Sequence, residues 1–257
     1  MIPEEHTFAA TLVRTAFKTM CIDYHEVMRV DGFEPWTKDR QTIHESNQVH
    51  RFLECLRSLS KDSICWMELP VPFKGGKLKP ELAHIDGFIV APAIKSIFFI
   101  EAKRLSRPSQ LDNLKKDMDR IFDISHEIYV GDGRFKGINL FEYDSYAIAL
   151  ADIWSDKSEW TRNVVEDWKH TSGKLESIYS YVLDTDIHQI LPNYFLTFTI
   201  QPIFCAEEYK KEVELESHKP GRASDPSILV WSDDAGFEAL LASVNIGKQL
   251  KNEQHYG

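Results

Sequence analysis

Two strand-like segments, residues 83–90 and 96–103, are separated only by Ala91-Pro92-Ala93-Ile94-Lys95. A connection that short predicts a hairpin. The hairpin sets the register of every side chain on it. If it turns about Ala93-Ile94, Asp86 stands opposite Glu101, and a slip of one residue would separate them. The second segment carries the apolar run Ile97-Phe98-Phe99-Ile100 and reads as a buried strand.

Around this hairpin the chain punctuates itself. Phe8, Leu12 and Ala16 predict a helix over residues 7–18. Residues 27–40 are broken by Gly32 and Pro35. The next helix begins near Thr42, where Thr42-x-x-Glu45 has the form of a capping box, and Val49, Phe52, Leu53 and Leu56 mark its apolar face. Glu45 lies on that same stripe. Capping alone accounts for it, and so does an inward-facing carboxylate at a sheet edge. Residues 64–73 read as a strand ended by Pro70, Pro72 and the turn Lys74-Gly75-Gly76-Lys77. A helix over 109–128, with Pro108 just before it, follows the hairpin, and Leu111, Leu114, Met118, Ile121 and Phe122 form its stripe. Strands are predicted at 146–154 and 194–204, helices at 160–169 and 174–183, a loop at 207–226, a last strand at 228–231 and a last helix at 237–244. Helix, three strands, helix, strand, helix, strand predicts an α/β fold, a central mixed sheet flanked by helices.

Composition narrows the class. With 43% hydrophobic and 27% charged residues among 257, the chain is an ordinary globular protein with enough length for a large core. No secretory signal is visible at the start, and no apolar run approaches the ~20 residues that span a bilayer. Cys21, Cys55, Cys65 and Cys205 form no C-x-x-C pair and read as free, buried thiols in a reducing cytoplasm. A net charge of −10 argues against a protein whose main task is coating DNA. A local groove is still open to it. Between Lys95 and Arg120, seven basic residues (Lys95, Lys103, Arg104, Arg107, Lys115, Lys116, Arg120) face four acidic ones (Glu101, Asp112, Asp117, Asp119). Lys115 and Lys116 suit a solvated face; Arg104 and Arg107 follow the candidate site directly and are the candidate nucleic-acid contacts.

Side chains alternate along a strand, so Glu101 and Lys103 share one face. Directly opposed residues have Cβ atoms about 4.5–5.5 Å apart, and two carboxylates that close repel unless something offsets the charge. A divalent cation is the simplest offset. Mg²⁺ takes oxygen ligands and keeps several waters. Asp86, Glu101 and the Ala102 carbonyl would leave positions for a phosphate oxygen and a water, and Lys103 would stabilise charge building on the phosphate. Glu45 would reach the ion through a water or help bind a second one. Two other acid-x-Lys triplets, Asp167-Trp168-Lys169 and Glu208-Tyr209-Lys210, lack this context. The first lies in a predicted helix, and the second has no Asp-bearing strand before it.

The motif His84-Ile85-Asp86-Gly87-Phe88-Ile89-Val90, followed by Phe98-Phe99-Ile100-Glu101-Ala102-Lys103, resembles the PD-(D/E)XK nuclease superfamily over roughly residues 42–204. The resemblance implies a restriction-endonuclease-like core at 42–204, with an N-terminal helical extension (1–40) and a C-terminal extension (205–257) on one domain. It implies an Mg²⁺-dependent nuclease, Mn²⁺ substituting, that hydrolyses phosphodiester bonds, DNA by family habit. Asp86, Glu101 and Glu45 would serve the metal and Lys103 the attacking water. It leaves open roles in defence, repair or mobile-element maintenance, and assembly as a homodimer or larger complex. Ile85 replaces the Pro of the family name, and Gln110 is followed by Leu114 rather than by the Tyr of a Gln-x-x-x-Tyr motif.

Other readings stand beside this one. Asp86 next to Gly87 suits a turn or edge, Glu101 and Lys103 a solvated strand end, and His84 a neighbour rather than a catalytic base. No G-x-S-x-G, H-E-x-x-H or G-x-x-x-x-G-K-[ST] is present. A non-catalytic nucleic-acid-binding or regulatory module with the same fold suits the net acidity, though not Lys103. An interaction scaffold would use the charged segment 206–225 and exposed aromatics around Trp154 and Trp160.

Overall fold

A computed structural model describes residues 7–29, 45–73, 81–131, 135, 137–171 and 194–217. The expected hairpin forms between β2 (Glu81–Ala91) and β3 (Ser96–Leu105), pairing from Ala91↔Ser96 to Gly87↔Ile100. That register is centred on Ala93-Ile94. Pro92–Ile94 makes a single 3₁₀ turn, closed by Lys95 in the left-handed region (φ 46°), whose N–H donates to the Pro92 carbonyl at 3.2 Å.

Five strands lie in the order β1-β2-β3-β4-β5, with β1 (Ile64–Phe73), β4 (Asp144–Trp154) and β5 (Tyr194–Phe204). All neighbours are antiparallel except β3 and β4, which run parallel from Ser96↔Asp144 to Leu105↔Ile153. The crossover between those two is α3 (Pro108–Gly131). Pro108 is the first residue of that helix rather than the one before it; its fixed φ and missing N–H suit that position. The prolines expected to end β1 lie inside it, at Pro70↔His84 and Pro72↔Leu82. Pro is tolerated there because β1 is the edge strand of the sheet among the described residues, with no ladder there to feed on its other side.

β3 is central, and Ile97, Phe98, Phe99 and Ile100 are all fully buried, because helices cover both faces of the sheet. On one face α1 (Thr7–Arg29) and α2 (Glu45–Leu59) bring Phe17, Phe52 and Leu56 against Ile89, Phe98, Ile100, Ile148 and Phe198. The Phe17 and Phe198 rings are 4.8 Å apart. On the other face α3 and α4 (Glu159–Thr171) bring Leu114, Met118, Ile121 and Val164 against Phe88, Phe99 and Ala147. Each fully buried Phe or Leu contributes about 1.5–3 kcal/mol of transfer free energy. α1 runs past its expected end because the stripe continues through Met20, Cys21 and Tyr24, all buried in the same cluster as the sheet.

One close approach on β2 admits no side chain. A Cβ on Gly87 would lie 2.7 Å from Val49 Cγ1 and 3.2 Å from Ile100 Cβ, so α2 seats directly on the strand there. Gly87→Ala is expected to destabilise the fold by about 1–3 kcal/mol through overpacking, read as a lower urea midpoint at unchanged slope. An unchanged midpoint would mean that Val49 moves aside freely.

Several expectations are corrected. Residues 207–217, read as part of a loop, belong to a helix, α5 (Ala206–Ser217); its first N–H donates to Asp144 Oδ1 at 2.9 Å, and Lys211 pairs with Glu207 at 2.9 Å. Trp154 is buried and Trp160 is half-buried against the α3/α4 layer, so neither is the exposed aromatic an interaction scaffold would use. The cysteines are free thiols as expected; Cys21, Cys55 and Cys205 are buried, while Cys65 is half-buried. Among the described residues no helix is long and apolar enough to cross a membrane. Thr42, the Gly75-Gly76 turn, and the elements expected at 174–183, 228–231 and 237–244 lie outside the described residues.

Candidate functional site

The site lies where β2 and β3 part. Their backbone ladder stops at Gly87↔Ile100, one residue short of Asp86 and Glu101. The side-chain alternation of β1 shifts at the same level. Cys65 and Met67 pack toward α1 and α2, whereas Leu69 and Val71 pack toward α3 and α4. Glu68, between them and level with Asp86, sits in the left-handed region (φ 51°), a conformation that costs a non-glycine residue about 1–2 kcal/mol.

Past the end of the ladder, two carboxylates replace the missing strand. The Ala102 N–H donates to Asp86 Oδ2 at 2.8 Å, and the Arg104 N–H donates to Glu45 Oε1 at 2.7 Å. On the opposite edge β3 stays fully paired to β4. A strand residue points its N–H and C=O to the same edge, so the Ala102 carbonyl also faces the gap beside β2. Glu45 is the first residue of α2, and its carboxylate reaches across to β3. This is the inward-facing role, a tertiary contact.

Glu101 turns to the other face and is 2% exposed. Its carboxyl shares a hydrogen bond with that of Asp86. Burial, and then the negative charges of Asp86 and Asp117, push its pKa up to about 9 against the pull of Arg120. Glu101 therefore favours its protonated form at neutral pH. Lys103 lies on the same strand face, with Nζ 3.3 Å from Asp117 Oδ2. Burial pulls its pKa down, but Asp117, Glu45 and Asp86 outweigh that, and the ammonium is held charged. Arg120 Nη2 lies 3.2 Å from Glu101 Oε1 and 3.3 Å from Asp117 Oδ1, and donates to the His84 carbonyl at 3.3 Å.

The structure thus brings Asp86, Glu101 and the Ala102 backbone into contact, with Lys103 and Glu45 alongside. His84 is exposed and enters through its carbonyl. Arg104 turns away from this face, and its Nε donates to Asp152 Oδ2 at 2.8 Å, where Asp152 is fully buried. Arg107 is exposed at the β3–α3 junction. Asp117 and Arg120 are functional candidates that sequence reasoning missed. A signal for the first existed: Asp117 lies three residues after Leu114 and four before Ile121, on the buried stripe, as Glu45 does on its own helix.

Among the described residues no group of three or more His, Cys, Asp or Glu side chains gathers as a metal-ligand set. The donors in the gap are the two carboxyls and the Ala102 carbonyl, all hard oxygens. That donor set fits Mg²⁺, which leaves most of its positions to water and substrate. No protein-family model, curated protein or solved structure matches this chain.

Proposed function

We propose that the chain is a metal-dependent nuclease with a restriction-endonuclease-like core of the PD-(D/E)XK kind, cutting DNA. The observation that carries this reading is the Asp86–Glu101 carboxyl pair at the point where β2 and β3 part, with Lys103 one pleat further along the same strand. The order α2-β1-β2-β3-α3-β4, with β4 parallel to β3, agrees with it.

In this reading Asp86, Glu101 and the Ala102 carbonyl would hold Mg²⁺, or Mn²⁺ in its place. The ion, when bound, supplies Lewis acidity at a phosphoryl oxygen and lowers the pKa of a water. The protein does the rest by position. Asp86 fixes the β3 backbone through the Ala102 N–H, which sets the carbonyl of the same residue. Glu45 fixes the next exposed N–H, at Arg104, and so holds the segment that carries Lys103. Lys103, kept charged and oriented by Asp117, offers its ammonium to the phosphate and the incoming water. Arg107, exposed where β3 gives way to α3, is a contact for the strand backbone. The proposed setting is the cytoplasm, the partner is nucleic acid, and a homodimer would allow both strands to be cut.

The test is incubation of supercoiled plasmid and single-stranded DNA with Mg²⁺, Mn²⁺ or EDTA. Cleavage confined to the metal samples and lost in Lys103→Ala supports the reading. Equal cleavage by wild type and variant sinks it.

A second reading has one observation in its favour. Glu101 and Lys103 are each engaged by a neighbouring side chain, Arg120 and Asp117 respectively. Such pairs suit a non-catalytic nucleic-acid-binding or regulatory module whose carboxyls are structural. Thermal melting separates the two. A genuine ion site at a hundred times its dissociation constant adds about 2.7 kcal/mol, so saturating Mg²⁺ or Mn²⁺ is expected to raise the melting temperature by roughly 5–10 °C. A melting temperature indifferent to both ions favours the second reading.

A further inference from the structure

We propose that Arg120 changes partner with the state of the site: without a divalent cation its guanidinium stands in for one at Glu101, and with a cation bound it turns to a phosphate of the nucleic-acid strand. The inference rests on the nuclease reading and adds to it a strand contact and a gate on cation entry.

The way Arg120 is held carries the argument. Its contacts with Glu101, Asp117 and the His84 carbonyl all run through one nitrogen, Nη2, at 3.2, 3.3 and 3.3 Å. Charge-assisted N–H···O contacts usually settle at about 2.7–2.9 Å. The Arg104–Asp152 pair, at 2.8 Å, does so in this same protein. Arg120 Nε, meanwhile, is buried and has no partner among the described residues. A guanidinium offers five N–H donors in a planar fork that matches two oxygens of a phosphate. Here the fork divides one nitrogen among three acceptors and leaves a buried donor unmet. An arginine whose final partners were Glu101 and Asp117 would pair edge-on with one of them.

The charges around it explain the exchange. Asp86, Glu101 and Asp117 face Lys103 and Arg120. A divalent cation between Asp86 and Glu101 would satisfy both carboxylates and repel the guanidinium beside them. A phosphodiester bound next to the ion would bring a negative charge to the same wall. Asp117 holds Lys103 through Oδ2 and Arg120 through Oδ1, so it keeps Lys103 in place while Arg120 swings.

The experiment titrates wild type, Arg120→Ala and Arg120→Lys with Mn²⁺ by calorimetry. It also measures binding of a fluorescein-labelled oligonucleotide in Ca²⁺ by anisotropy, with circular dichroism melts to confirm folding. Arg120→Ala, freed of the competing charge, is expected to bind Mn²⁺ about tenfold more tightly and the oligonucleotide about tenfold more weakly, the size of one charge-assisted contact. Arg120→Lys keeps the charge and loses the fork, so it is expected to match wild type for Mn²⁺ and to resemble Arg120→Ala for the oligonucleotide. If Arg120→Ala fails to fold, Arg120→Lys decides by the same split. Unchanged or weaker Mn²⁺ binding in Arg120→Ala, or unchanged oligonucleotide binding in both variants, overturns the Arg120 assignment while the nuclease reading stands. A wild type that binds no Mn²⁺ overturns the nuclease reading and this inference with it.

Discussion

Replacing Lys103 by Ala is expected to lower metal-dependent DNA cleavage by about a thousandfold, the upper range for removing one preorganised donor from a developing oxyanion. The ammonium is part-buried and, among the described residues, ion-paired with Asp117 at 3.3 Å, so its removal is expected to leave the fold nearly as stable as before. Asp86 needs a gentler change. Asp86→Ala would orphan the Ala102 N–H, at a cost of about 1–3 kcal/mol, and would mix a structural effect with a chemical one. Asp86→Asn keeps an oxygen for that N–H while removing the charge the proposed cation would need. Both Lys103→Ala and Asp86→Asn are expected to melt close to wild type in EDTA and to leave supercoiled plasmid uncut. A cleaving Asp86→Asn would remove Asp86 from the proposed ion site.

The cation-free protein is expected to lose stability as pH rises from about 4.5 toward 9. The Glu101 carboxyl ionises at about 9 in the folded chain against an ordinary value of 4.5, so the folded state binds the proton more tightly than the unfolded state. The contribution is therefore fully present below the ordinary value, fades above it, and is gone once the folded group has ionised. Its size is on the order of a few kcal/mol. Urea melts in EDTA at pH 6 and pH 9 measure it, and Glu101→Gln, which cannot ionise, is expected to flatten the difference. Saturating Mg²⁺ is expected to act in the opposite direction. At the proposed ion site it would compete with the proton, so its apparent affinity is expected to rise over the same pH window. Parallel pH curves for wild type and Glu101→Gln in EDTA would show that the carboxyl ionises normally.

The hairpin and its carboxyl pair were legible in the sequence because they depend on local facts. Loop length alone puts Asp86 level with Glu101, and the apolar run at 97–100 makes β3 a buried strand. The α5 helix was not legible by the same method. Its apolar residues are few, and what holds it is helix-forming Ala, Glu and Lys together with a cap from Asp144 and the stacking of Tyr209 on Phe141, both far away in sequence. Arg120 was invisible for a related reason. It lies beside the apolar stripe of α3, and only the packing of that helix on β3 brings it to Glu101. Arg104 gives the converse lesson. Its place after the motif suggested a surface role, whereas the pleat turns it toward Asp152.

The turn at Pro92–Ile94 has a consequence for how the protein acquires its site. Hairpins close in about 1–10 μs, and α3 follows β3 directly in the chain, whereas α2 precedes β1 and reaches β3 over a longer stretch. Asp86, Glu101, Asp117 and Arg120 therefore belong to one contiguous stretch, while Glu45 meets it at Arg104 from 59 residues away. The carboxyl pair and the arginine proposed to compete with a cation for it would therefore come together as one unit of β2, β3 and α3.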